Sequence, residues 1–95
     1  MEFRVLGPFE VARDGMLLDL GGPHHRLLLA LLLIHSGAVV STDRLVDDLW
    51  EGRQPGTARH AVQSHVYRLR RVLGEDAWRL ETAPPGYRLK VPTRD

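Results

Sequence analysis

The chain has 95 residues, 43% of them hydrophobic and 26% charged, and a formal net charge of +1. That length suits one compact core, residues 1–95 together, and leaves no room for a second. With no cysteine in the sequence, disulfide frameworks, zinc–thiolate sites and thiol catalysis are excluded.

The first residues, MEFRVLG, carry no charged-then-apolar signal pattern. The longest apolar run, residues 27–34, is far short of the roughly 18–20 residues that a membrane span needs. A soluble, cytoplasmic chain without a membrane partner is therefore expected.

Strands come first, over residues 2–20. FRVLG and FEVAR are short β-prone runs broken at Gly7-Pro8, and MLLDL follows a turn at Arg13-Asp14-Gly15. Asp-Gly between such runs predicts a hairpin, so three short antiparallel strands are expected. Gly21 and Gly22 then end the sheet, and Pro23 suits a first helical turn because its missing N–H costs nothing there. The helix predicted over 23–36 is apolar nearly all round, which marks a central core helix. A second helix is predicted over 42–50, with Ser41 or Thr42 as N-cap and Asp43 favourable in its first turn.

After a loop, EGRQPG, a third helix is predicted over 57–73, with Thr57 as N-cap and Gly74 at its end. Placing residues at 100° intervals puts Ala58, Ala61, Val62, Val66, Leu69, Val72 and Leu73 on one half of the wheel. His60, Gln63, Ser64, Tyr67, Arg70 and Arg71 gather on the other half, with Arg59 and Arg68 at its edges. The chain closes with a hairpin over 78–91, in which Trp78, Leu80, Thr82, Tyr87, Leu89 and Val91 alternate with charged residues around Pro-Pro-Gly. On this pattern Trp50, Trp78 and Tyr87 are core residues, and Gly86 serves a turn that calls for positive φ.

Charge is distributed unevenly. Residues 52–74 hold five arginines, two histidines and no acid, whereas residues 43–51 hold four acids and one arginine. The near-neutral total thus hides an acidic segment beside a basic one. Either the arginines form a solvated face or the helix meets an anionic partner. Metal binding is not supported: His60 and His65 lie about 140° apart around a helix, and His65 falls on the core half as a partly buried, hydrogen-bonded residue. No cofactor is indicated. GGP and PPGY are turns rather than a phosphate loop, and no acid, Ser or His arrangement reads as catalytic, so the chain is not expected to be an enzyme.

Three strands, three helices and a closing hairpin describe an α+β winged helix-turn-helix. The blocks GGPHHRLLLALLL, VVSTDRLVDDLW, GTARHAVQSHVYRLRRVLG and APPGYRLKV resemble, in order and spacing, the OmpR-type winged-helix domain found at the N-terminus of Streptomyces antibiotic regulatory proteins. That resemblance runs from Phe3 to Val91 and implies sequence-specific binding of double-stranded DNA by a transcription activator of secondary metabolism. It further implies a third helix in the major groove, a wing against the minor groove and a second copy bound head to tail on direct repeats. The loop holding Glu51, Arg53 and Gln54 lies where the family commonly contacts RNA polymerase, in its sigma-factor region. A helical activation domain normally follows in that family, and the chain stops before one could begin; it is either an excised domain or a short member.

The physics of the groove agrees. The major groove admits an α-helix, and Arg and Gln can each make paired hydrogen bonds to a base edge. Gln63, Ser64, Tyr67 and Arg70 are therefore the candidate base readers. Arg59, His60, Arg68 and Arg71, nearer the sides and ends, are candidate phosphate contacts that fix register. Thr42 and Thr57 at helix starts, Arg26 with His24 and His25 at the first helix, and Arg88 and Lys90 on the hairpin are further phosphate candidates. Arg68 could instead pair with Asp47 or Asp48. Ala83 stands where wings of this family often carry a basic residue, which counts against a deep minor-groove contact. The competing reading is a winged helix that docks on an acidic protein partner without reading DNA, since fold alone does not decide function.

Overall fold

In the computed structural model, residues 2–4, 10–13, 15–35 and 37–90 are described. The Gly7-Pro8 break, Asp14, Ser36 and Val91 lie outside them. Strands β1 (Glu2–Arg4), β2 (Glu10–Arg13) and β3 (Met16–Leu17) form an antiparallel sheet in the order β1-β2-β3, as the alternation and the Asp-Gly turn predict. Arg13 faces Met16 across the hairpin, and Gly15 takes φ +80° in its two-residue turn.

Helix α1 (Pro23–Ile34) starts at proline as expected and stops two residues early, with His35 as its C-cap. Leu28, Leu29 and Leu32 are fully buried, but Ile34 is 69% exposed and Leu27 40%. The helix is thus not buried all round, which corrects the sequence reading: its apolar residues exceed the surface that the other helices can cover. Helix α2 (Thr42–Trp50) has the predicted bounds, and Ser41 is its cap, its hydroxyl accepting from the Arg44 N–H at 3.1 Å. Helix α3 (Ala58–Leu73) buries Ala58, Val62, Val66, Leu69 and Leu73 at helical spacing. Those five side chains meet Leu28, Leu29 and Leu32 of α1 and Leu45, Val46 and Leu49 of α2 in one core.

The hairpin differs in its lead-in. A 3₁₀ helix, Gly74–Arg79, takes the chain from α3 to β5 (Leu80–Ala83), which pairs antiparallel with β6 (Gly86–Leu89). Trp78 therefore belongs to the 3₁₀ helix and not to the strand. It is 58% exposed, with the Arg79 guanidinium 4.6 Å from its ring centre. The core assignment of Trp78 is corrected, while Tyr87 is buried and Trp50 packs half-buried against the core.

A two-residue strand, β4 (Val40–Ser41), was not anticipated. It pairs antiparallel with β6, giving a second sheet in the order β4-β6-β5. Gly86 makes that pairing possible. Its φ is not in the left-handed region; instead, a Cβ there would fall within the Val40 carbonyl group and 2.7 Å from the Cα of Ser41. The glycine serves close strand approach rather than turn geometry. Three helices flanked by a sheet and a hairpin make this a winged helix-turn-helix.

Candidate nucleic-acid interface

Helix α3 presents the outward face that its periodicity predicts. Arg59, His60, Gln63, Ser64, Tyr67, Arg68 and Arg71 are all exposed. Tyr67 is 66% exposed and is the only large apolar or aromatic side chain on that face among the described residues. The Arg71 guanidinium lies 6.0 Å from its ring centre, a cation–π approach, and the two line an open groove of about 350 Å³ with Arg68 and Val72.

Arg70 is placed differently from the sequence assignment. Its Nε donates to the Leu80 carbonyl at 2.9 Å and an Nη donates to the Thr82 hydroxyl at 2.8 Å. The side chain is half-buried against β5. Arg70 is engaged by the wing and does not stand among the outward readers; Gln63, Ser64 and Tyr67 remain there.

The flank of α3 away from the wing faces the start of α1. His65 Nδ1 lies 3.2 Å from His25 Nε2, and His25 Nδ1 accepts from the Gly22 N–H at 3.0 Å. A consistent tautomer set follows: His25 is protonated on Nε2 and donates to Nδ1 of His65, whose own Nε2–H is buried and has no partner among the described residues. The His24 ring meets Trp50 edge-on at 4.8 Å, and His65 stacks at 6.3 Å over the same indole. Burial first, then the Arg68 guanidinium and His24, hold His25 below its ordinary pKa of 6.5. Burial, with His25 and His24 beside it, does the same for His65. His25 is therefore a structural hydrogen-bonding residue and not a free phosphate contact. Arg68 extends toward this corner, near Gly21, and not to Asp47 or Asp48.

Several basic candidates already have acidic partners. Arg59 pairs with Asp43 of α2. On the wing, Glu81 and Arg88 are directly opposite in the strand register. Arg88 Nε donates to the Glu81 carboxylate at 2.8 Å, and Lys90 Nζ lies 3.3 Å from its other oxygen. These two hydrogen bonds, from Arg88 and then Lys90, hold the Glu81 carboxyl below its ordinary pKa. Arg88 and Lys90 thus do not project as unpaired cations, which corrects that part of the sequence reading.

Thr42 also has another role. Its hydroxyl and its backbone N–H both donate to the Pro85 carbonyl, at 3.2 and 3.1 Å, so the N–H proposed for a phosphate ties α2 to the wing turn. Thr57 is exposed and makes no side-chain cap. Arg26 is exposed at the first turn of α1, and the loop with Glu51, Arg53 and Gln54 is exposed throughout. No cluster of three or more metal-ligating side chains is present among the described residues, and none of their helices is long and apolar enough to cross a membrane.

Residues 19–89 match the family described as "Transcriptional regulatory protein, C terminal". The chain belongs to this family. It is 42% identical over 98 residues to the transcriptional regulatory protein MoaR1 of Mycobacterium tuberculosis, covering 99% of this chain and 32% of that protein. It is also 42% identical over 73 residues to the regulatory protein AfsR of Streptomyces coelicolor, covering 77% of this chain and 7% of that one. The solved structure of M. tuberculosis EmbR in complex with a low-affinity phosphopeptide superposes with a TM-score of 0.89 at 40% identity, over 96% of this chain and 25% of EmbR. The DNA-binding domain of Escherichia coli CadC superposes at 0.71 with 33% identity, over 87% of this chain and 79% of that one. This chain spans a third or less of MoaR1 and EmbR. The resemblance to the OmpR-type domains of the Streptomyces regulators is thereby shown, and the relatives are transcriptional regulators rather than enzymes.

Proposed function

We propose that the chain is the sequence-reading domain of a transcription activator, placing α3 in the major groove of double-stranded DNA. The observation that carries this reading is the outer face of α3: Gln63, Ser64, Tyr67, Arg68 and Arg71 exposed together on a helix with no acidic residue. Arg and Gln suit base edges and phosphates, and a single exposed aromatic gives little surface for docking an apolar protein face. Gln63, Ser64 and Tyr67 read base edges. His60, Arg68 and Arg71 meet phosphates on either side, with Arg26 and Thr57 extending the contact along the backbone. Arg59, Arg88 and Lys90 add to it by exchanging their carboxylate partners for phosphate.

Two copies bind head to tail on direct repeats, and the exposed loop with Glu51, Arg53 and Gln54 contacts the sigma-factor region of RNA polymerase. The work is done in the cytoplasm, on promoters of secondary metabolism. The test is fluorescence anisotropy with a library of duplexes carrying direct repeats, across a salt series, on wild type, Gln63→Ala and Arg71→Ala. The reading expects a selected motif, one relaxed base position in Gln63→Ala, and a salt slope flatter by about one unit in Arg71→Ala. Absence of any preferred sequence, with both variants binding like wild type, refutes it.

A further inference from the structure

We propose that Arg70 is a positioning residue, a strap that fixes the angle between the reading helix and the wing without itself touching DNA. This rests on the DNA-reading function proposed above. Strand β5 is an edge strand: β6 pairs with it on one side, and among the described residues no strand lies on the other. An edge carries backbone groups with no ladder partner. Arg70 meets that edge from α3, its Nε on the Leu80 carbonyl at 2.9 Å and its Nη on the Thr82 hydroxyl at 2.8 Å. A guanidinium holds its donors in a rigid planar fork, so two bonds fix both distance and orientation.

The remaining links are made elsewhere on the wing. Thr42 binds the Pro85 carbonyl at the wing turn, and β4 binds β6. These attach the wing to α2. Among the described hydrogen bonds between side chains of α3 and the wing, those of Arg70 are the ones present. The 3₁₀ helix Gly74–Arg79 is the covalent route from α3 to β5, and none of its residues is buried in the core. Without Arg70, the wing keeps the apolar packing of Leu80, Tyr87 and Leu89 in the core shared with α3, which is non-directional, and its directional hydrogen bonds then run to α2 and β4. A composite reader needs wing and α3 in one register on the duplex.

Arg70→Lys, Arg70→Ala and Thr82→Val separate positioning from direct contact. Lys keeps the charge and loses the fork; Thr82→Val changes no charge at all. Two readouts are taken: ¹⁵N relaxation of the wing amides in the free chain, and anisotropy with the duplex selected above and a scrambled duplex of equal length. The strap expects lower order in the amides of residues 80–89 for all three variants, with the amides of α1 and the first half of α3 unchanged. It expects affinity for the selected duplex to fall about tenfold in both Arg70 variants and about threefold in Thr82→Val, with affinity for the scrambled duplex much less affected. Arg70→Lys leaves the salt slope as in wild type.

The proposal is overturned if Thr82→Val is silent in both readouts while Arg70→Ala flattens the salt slope by about one unit and Arg70→Lys restores binding, which is the pattern of a phosphate contact. It is equally overturned if wing order is unchanged in all three variants. If no duplex is selected at all, the DNA-reading function fails, and the relaxation data still decide whether Arg70 straps the wing.

Discussion

Replacing Gly86 by alanine tests the packing that sets the wing against the helices. Gly86 is buried, and it lies opposite both Ser41 in β4 and Ala83 in β5. An added Cβ would overlap the Val40 carbonyl and sit 2.8 Å from its carbon and 2.7 Å from the Ser41 Cα. All of these are backbone atoms, so no side chain can swing away. Ordinary contact begins near 3.4 Å, and β4 must retreat or β6 must bow. Either motion loosens the Val40–Tyr87 and Ser41–Gly86 pairs, together with the two Thr42 donations to the Pro85 carbonyl. Overpacking costs about 1–3 kcal/mol, and each hydrogen bond lost adds about 1 kcal/mol. A destabilisation of about 3 kcal/mol lowers the melting temperature of a domain this size by roughly 10–20 °C. Thermal unfolding followed by circular dichroism measures it, with Gly56→Ala as control because nothing lies within 4 Å of a Cβ there. A Gly86→Ala variant melting within about 3 °C of wild type refutes the close-approach argument.

The histidine corner predicts acid sensitivity. His25 and His65 have folded pKa values below 6.5, so the unfolded chain binds their protons first; the stability they confer is complete above pH 6.5 and is lost as pH falls below it. The melting temperature should fall as pH is lowered from about 6.5 to 5, and fall less in His65→Gln; equal falls would sink the assignment. Glu81→Gln should tighten DNA binding at low salt, because Arg88 and Lys90 no longer give up a shared carboxylate to reach phosphate; an unchanged affinity counts against it. Trp78→Ala should cost less than about 1 kcal/mol in urea unfolding, because the ring is mostly exposed and loses chiefly its Arg79 contact. Leu80→Ala, two residues on and 1% exposed, should cost about 2–5 kcal/mol. Reversal of that order would restore Trp78 to the core.

The sequence was most legible where structure is decided locally. Helix α2 and helix α3 carry apolar residues at helical spacing between a capping residue and a breaker, and both formed within a residue of the predicted bounds. What escaped depends on partners distant in the chain. Strand β4 is two residues long and exists because β6 can approach it at Gly86, 45 residues later. Trp78 fitted a strand alternation, but the chain needs the tight 3₁₀ helix there to turn from α3 into β5. Arg70 departs from the outer face for a related reason. Taking Val62 as the core direction, Arg70 falls about 80° around the wheel, at a flank rather than at the centre of the outer face. A flank position points at DNA or at a neighbouring element according to what docks beside it. The wing docks there.

The residues that supply charge are not the ones that set geometry. The acid-free stretch that stands out in the sequence does not deliver all its arginines to one surface. Arg59 is balanced by Asp43, and Arg70 holds β5. Arg68 and Arg71 remain on the outer face beside Tyr67. On the wing, Glu81 engages both Arg88 and Lys90, and its lowered pKa keeps it ionised across the physiological range. The field that an approaching polyanion meets therefore centres on the outer face of α3, while the wing presents a largely compensated surface. An exposed ion pair of this kind contributes little stability, so exchanging Glu81 for a phosphate costs little once the duplex is in place. On the proposed DNA-reading function, helix α3 sets the encounter, and the wing engages only on a duplex already held in register by that helix.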